Sequence, residues 1–85
     1  MNAIKMLDDA VCVVMKRNDA YGDPAASLSA IAARWSLTLG QTITPTQVAL
    51  CMIDLKLARL AHDPKQRDSI IDVIGYAALL PEVTK

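Results

Sequence analysis

The chain has 85 residues, 53% of them hydrophobic, and its nine basic and nine acidic residues cancel to a formal net charge of zero. That length accommodates one domain with a single modest core and leaves no room for a separate regulatory module. Charges that cancel without forming long blocks exclude a general nucleic-acid binder and a membrane-surface binder.

Most of the apolar residues are Ala, Leu, Ile and Val; there is no Phe, one Trp and two Tyr. Four short helices bury only part of such surface among themselves, so a homo-oligomer is expected. At the amino terminus Asp8 and Asp9 interrupt the apolar run. Neither a signal peptide nor a membrane span is therefore expected, and the reading is a cytoplasmic protein. Cys12 and Cys51 fall inside apolar helical runs without metal-like spacing, and are read as reduced core residues.

In chain order, Ile4, Leu7, Val11, Val14 and Met15 recur at helical spacing, which predicts a first helix from the amino terminus to about Asn18. The pair Asp23-Pro24 then combines a capping side chain with the residue best suited to the first helical position. It predicts a second helix from Pro24 to Leu39, with Leu28, Ile31, Trp35 and Leu39 inward and Gly40 as its stop. Gln41 to Thr44 is β-prone and is expected to be extended for a few residues. Thr44-Pro45 and Asp63-Pro64 repeat the start signal, each with Gln three residues after the cap, as in a capping box. They predict a third helix from Pro45 to about His62 and a fourth from about residue 64. The third is apolar almost all round and reads as the central helix. Pro81 is expected to close the fourth. The fold class is thus all-α: one domain over residues 1–85, a bundle or irregular array of about four helices.

Against this apolar background the charged positions of the last two helices stand out. Lys56 and Arg59 are three apart on one helix, and Asp68 and Asp72 four apart on the next, so each pair projects from one side of its helix. A short Asp-Pro connection packs the two helices antiparallel and brings Lys56 or Arg59 within ion-pair reach of Asp68 or Asp72. Gly75 and Tyr76 lie close to the carboxylates, and a glycine inside a helix costs roughly 1 kcal/mol relative to Ala, so a ligand or a second helix is expected against the backbone there. The cluster has two readings. In one, the charges neutralise each other across a packed interface; in the other, cations on an apolar helix receive phosphate or another anion. Tyr21-Gly22-Asp23-Pro24 reads either as a capped turn or as a site in which the N–H groups opening the second helix and the Tyr21 ring take an anion or a base. His62 suits a helix carboxyl end, Asp8 and Asp9 a solvated face. Ser69 beside Asp68, with no placed His, makes no catalytic triad.

The stretches Tyr21-Gly22-Asp23-Pro24, Ile31-Ala-Ala-Arg-Trp35, Val48-Ala-Leu, Lys56-Leu-Ala-Arg59-Leu-Ala-His62 and Arg67-Asp68-Ser69 with Asp72-Val-Ile-Gly75-Tyr76-Ala resemble a family of short phage and prophage proteins of proteobacteria. That family is defined by sequence and not by a known reaction. A more distant likeness is to the all-α nucleotide pyrophosphohydrolases of the MazG type, in which acidic motifs on two helices hold Mg²⁺ over a nucleotide triphosphate. Asp68 and Asp72 are similar to the second of those motifs. Where the first, glutamate-rich motif would stand, this chain has Lys56 and Arg59, and its one glutamate is Glu82. Replacing carboxylates by cations removes the field that holds Mg²⁺ and leaves a metal-free phosphate site.

The combined reading is a phage-type protein that binds a nucleotide or other phosphate-bearing ligand without turnover. Lys56, Arg59 and Arg67 would bind; Asp68, Asp72, Tyr76 and Tyr21 would orient the cations or contact sugar and base. No catalytic residue, metal or cofactor is assigned. Sequestering a defence signal or handling a nucleotide pool would suit such a product. One alternative is a reduced pyrophosphohydrolase with Mg²⁺ on Asp54, Asp68 and Asp72. The other is a protein–protein interaction module whose charge cluster is purely structural.

Overall fold

The computed structural model describes residues 2–84, and these form four helices: α1 (Ala3–Tyr21), α2 (Pro24–Leu39), α3 (Pro45–His62) and α4 (Arg67–Val83). No strand occurs among the described residues, and Gln41–Thr44 is an irregular connection. No described helix is long and apolar enough to cross a membrane.

Local chemistry sets most boundaries. Asn2 opens α1 by accepting the Lys5 N–H at 2.8 Å. The helix runs three residues past Asn18 because its first residue outside helical space is Gly22, at φ 82°, whose N–H still bonds the Asn18 carbonyl at 2.9 Å. Asp23 caps α2 through the Ala25 N–H at 3.1 Å, and Gly40 ends it in the left-handed region at φ 69°. Thr44 and Gln47 form a reciprocal capping box at the start of α3, which satisfies two donors that the helix itself cannot.

The pair Asp63-Pro64 behaves differently. Asp63 accepts the Lys65 N–H on its side chain and the Gln66 N–H on its carbonyl, both at 3.1 Å. Pro64 thus sits at the second position of a tight turn, where its fixed φ is equally favoured. The fourth helix begins at Arg67, after an N-cap, Gln66, that makes no side-chain cap bond. Pro81 does not close it either. The helix continues to Val83, which joins the core, while the Thr46 hydroxyl reaches the Val83 carbonyl at 3.4 Å and the Thr84 hydroxyl at 2.9 Å. These tertiary contacts hold the turn beyond the proline.

The central helix is α4, not α3. α4 meets all three others, whereas no other helix runs along α1. Antiparallel to α3, it touches Thr46 near its end and Lys56 near its middle. One apolar cluster gathers Leu28, Ala32, Val48 and Ala49 with Ile31, Trp35, Tyr76 and Leu79; the other gathers Met6, Ala10 and Ile71 with Val13, Ile70 and Ile74. The apolar excess of α3 lies largely outside, with Leu50, Leu55 and Leu57 exposed. Leu39, expected inside, is exposed as well, because the chain turns back at Gly40 and the Ser36 hydroxyl accepts the Ile43 N–H at 2.8 Å. Cys12 and Cys51 are both exposed thiols rather than core residues, each on a helix face that no other helix covers.

Candidate functional site

A pocket of about 390 Å³ opens where all four helices approach. The last turns of α1 supply Val14, Arg17, Asn18 and Tyr21; the start of α2 supplies Pro24, Ser27, Leu28 and Ile31; α3 contributes Lys56, and α4 contributes Asp72, Gly75, Tyr76 and Leu79. Its volume lies at the small end of the range for ligand pockets, roughly 300–1,000 Å³.

Asp72 is the chemical centre, a carboxylate only 8% exposed. Lys56 Nζ lies 3.0 Å from Oδ2 and Arg17 Nη2 lies 2.9 Å from Oδ1. The Lys56 contact is one of the four pairings that the helix spacing allows; the Arg17 contact was invisible to that spacing, since Arg17 is 55 residues away in sequence from Asp72. Oδ1 nevertheless makes no hydrogen bond, so the guanidinium supplies charge there without directing an N–H at the oxygen. The pocket therefore holds two cations and one carboxylate, whose Oδ1 is in ion-pair contact with Arg17 but not hydrogen-bonded. Arg17 is half exposed, and most of its five donors are available.

The other expected site residues divide by location. Tyr76 lines the pocket and is half buried against the apolar cluster; Tyr21 lines it from the rim and is largely exposed. Arg59 lies outside the pocket with no ion-pair partner among the described residues. Three residues along a helix turn the side chain by about 60°, enough to carry Arg59 off the contact that Lys56 occupies. Arg67 and Asp68 are in the first turn of α4. Arg67 pairs across to Asp9 at 3.1 Å, whereas Asp68 is 90% exposed and only 3.9 Å from Arg67, a separation at which a surface pair contributes little. The Arg67 hydrogen bond, with Lys5 adding to it, holds the Asp9 carboxyl below its ordinary pKa.

What approaches Gly75 is α1. A methyl group built there would meet Val14 Cγ2 at 3.6 Å, ordinary van der Waals contact. At the start of α2 the Asp23 carboxylate already takes one N–H, so the protein supplies much of the negative charge that this helix end favours. His62 is exposed in the last turn of α3 beside Arg59.

Asp54, Asp68 and Asp72 do not come together, and no group of three metal-ligating side chains is found among the described residues. Asp54 precedes Lys56 by two residues, about 200° of helical rotation, so the turn that points Lys56 inward points Asp54 outward. Gly22, which borders the pocket, belongs to the Tyr21-Gly22-Asp23-Pro24 motif; Asn18 and Ser27, which also border it, were signalled by nothing beyond their nearness to that motif.

No solved structure matches the chain. It is similar to the Gene 55 protein of Mycobacterium phage L5, at 35% identity over 69 residues, covering 80% of this chain and 44% of that protein. It is also similar to the Gene 55 protein of Mycobacterium phage D29, at 35% identity over 68 residues, covering 80% and 45% respectively. The chain thus spans under half the length of these relatives. Residues 5–84 match the model of a domain of unknown function, DUF6378; the chain belongs to that family, one with phage-encoded members.

Proposed function

We propose that the four-helix pocket binds a small phosphate-bearing ligand, with a nucleotide as the best fit, and holds it without turnover. The observation that carries this reading is the convergence of Lys56 and Arg17, from different helices, on one buried carboxylate inside a pocket of about 390 Å³. Two cations against one anion leave a positive excess, which a phosphate offsets. The guanidinium donors of Arg17 that Asp72 does not engage suit bidentate contact with phosphate oxygens, and the Tyr76 and Tyr21 rings suit a base. Arg59, Arg67 and Asp68 leave the binding set on this reading, and Arg17 enters it. The setting proposed is the host cytoplasm, with sequestration of a nucleotide or a nucleotide signal as the role.

A second reading is that the cluster only fastens α1 and α3 to α4. The Lys56 ammonium favours it, being already engaged by Asp72 and only 14% exposed. Titration calorimetry against inorganic phosphate and a panel of nucleotides and cyclic nucleotides, with thermal melts alongside, separates the two. Nucleotide binding that Arg17→Ala weakens at least tenfold, roughly the loss of one charged hydrogen bond, while Arg59→Ala leaves it unchanged, supports the pocket. If no panel member gives heat or raises the melting temperature, the fastening reading replaces it.

A further inference from the structure

We propose that the exposed apolar seam of α1 is the interface between two copies of this chain, paired antiparallel about a two-fold axis near Val11. Three observations meet there. The first is area. The protein exposes 5870 Å², whereas a compact monomer of 9.2 kDa is expected to expose about 4,900 Å². The difference, roughly 900 Å², is close to the area of about 800 Å² that each partner buries in a standard interface.

The second is the share of exposed apolar surface that α1 carries, beside the exposed leucines of α2 and α3. With about 100° of rotation per residue, Met6 and Ala10 face α4 and are buried, while Lys5, Asp8, Cys12, Lys16 and Asp19 occupy the opposite, wet side. Between them run Ile4, Leu7, Val11 and Met15, which are 70%, 50%, 57% and 61% exposed. They fall within an arc of about 80°, the width of a coiled-coil seam. α1 is thus apolar over two adjoining arcs, and α4 covers only one.

The third is charge, which decides both the partner and the direction. Along the flank of the seam the order is Lys5, Asp8, Cys12, Lys16, Asp19. An antiparallel pair centred near Val11 sets Leu7 against the partner's Met15. The same arrangement brings Asp8 to the partner's Lys16 and Lys5 to the partner's Asp19. A parallel pair would turn this charged flank toward the opposite flank of the partner's seam, where Met6, Ala10 and Val14 stand, and would leave Asp8 and Lys16 without partners. A second copy of α1 is therefore complementary to α1 in shape, polarity and sign, as an isologous interface requires. Asp8 and Lys16 have no ion-pair partner within the described residues of one chain.

Sedimentation velocity at micromolar concentration tests this, beside thiol cross-linking with a short bismaleimide. Both cysteines are exposed, but only Cys12 lies beside the proposed axis. The wild type is expected to sediment as a dimer and to cross-link through Cys12, so that Cys12→Ser abolishes the product and Cys51→Ser does not. Leu7→Glu with Val11→Glu, on a surface that one chain does not bury, should retain helical circular dichroism and weaken dimerisation about a hundredfold or more, because unpaired carboxylates enter an apolar seam. Should that variant lose helix, the charge swap decides: Asp8→Lys weakens the dimer and Asp8→Lys with Lys16→Asp restores it. A monomeric wild type overturns the proposal, as does a dimer that cross-links through Cys51 or is indifferent to these substitutions.

Discussion

Asp72 concentrates the electrostatic demands of the interior, since it is buried on the central helix and two cations from different helices depend on it. Removing one partner of a buried pair leaves an uncompensated charge, which costs about 3–5 kcal/mol. Asp72→Ala is therefore expected to lower stability by about that amount in urea denaturation. Lys56→Met should cost clearly less, because Arg17 still faces the carboxylate and the methionine chain fills the same space. Equal losses for the two would contradict the geometry. Asp9 tests a weaker linkage at the surface. Its folded pKa is held below its ordinary value of 3.8, chiefly by the hydrogen bond from Arg67. A depressed carboxyl pKa adds stability above the unfolded value, and that contribution disappears as pH falls through the folded one. Below pH 3.8 the melting temperature of wild type should thus fall more steeply than that of Asp9→Asn, as read by thermal melts across an acidic series.

At the scale of the helix, Gly75 and Thr44 give opposite expectations. Gly75 has ordinary helical φ, and a methyl group there would touch Val14 at 3.6 Å without overlap. Gly75→Ala should accordingly stabilise the protein by up to about 1 kcal/mol through helix propensity. A loss of stability would mean that α1 lies closer to α4 than this. Thr44→Ala removes the cap of α3 and half of its capping box, and is expected to cost about 1 kcal/mol in the same denaturation assay. The comparison of Asp23 with Asp63 shows how far such signals reach. Both precede proline, and both accept a backbone N–H two residues on, yet one opens a helix and the other makes a turn. An aspartate side chain caps either conformation with the same bond, so the choice between them is made by where the chain must go to bury Ser69, Ile71 and Asp72.

For the whole molecule, the elongated shape, 42 × 30 × 22 Å, and the open seam of α1 bear on stability as well as assembly. If folding is coupled to dimerisation, the melting temperature rises with protein concentration by mass action, and Leu7→Glu with Val11→Glu should remove that dependence in scanning calorimetry. The sequence by itself determined four helices, three of their starts, and that Lys56 or Arg59 would meet Asp68 or Asp72. Caps, prolines and helical periodicity act within a few residues, and one tight turn fixes α3 against α4. Only the tertiary structure decided that α4 is central, that Arg17 rather than Arg59 joins the carboxylate, that Arg67 turns away to Asp9, and that both cysteines face outward. Those outcomes depend on which faces of distant helices meet. Lys56 and Arg59 carry the same charge at neighbouring positions on one helix, and only the placement of α1 and α4 distinguishes them.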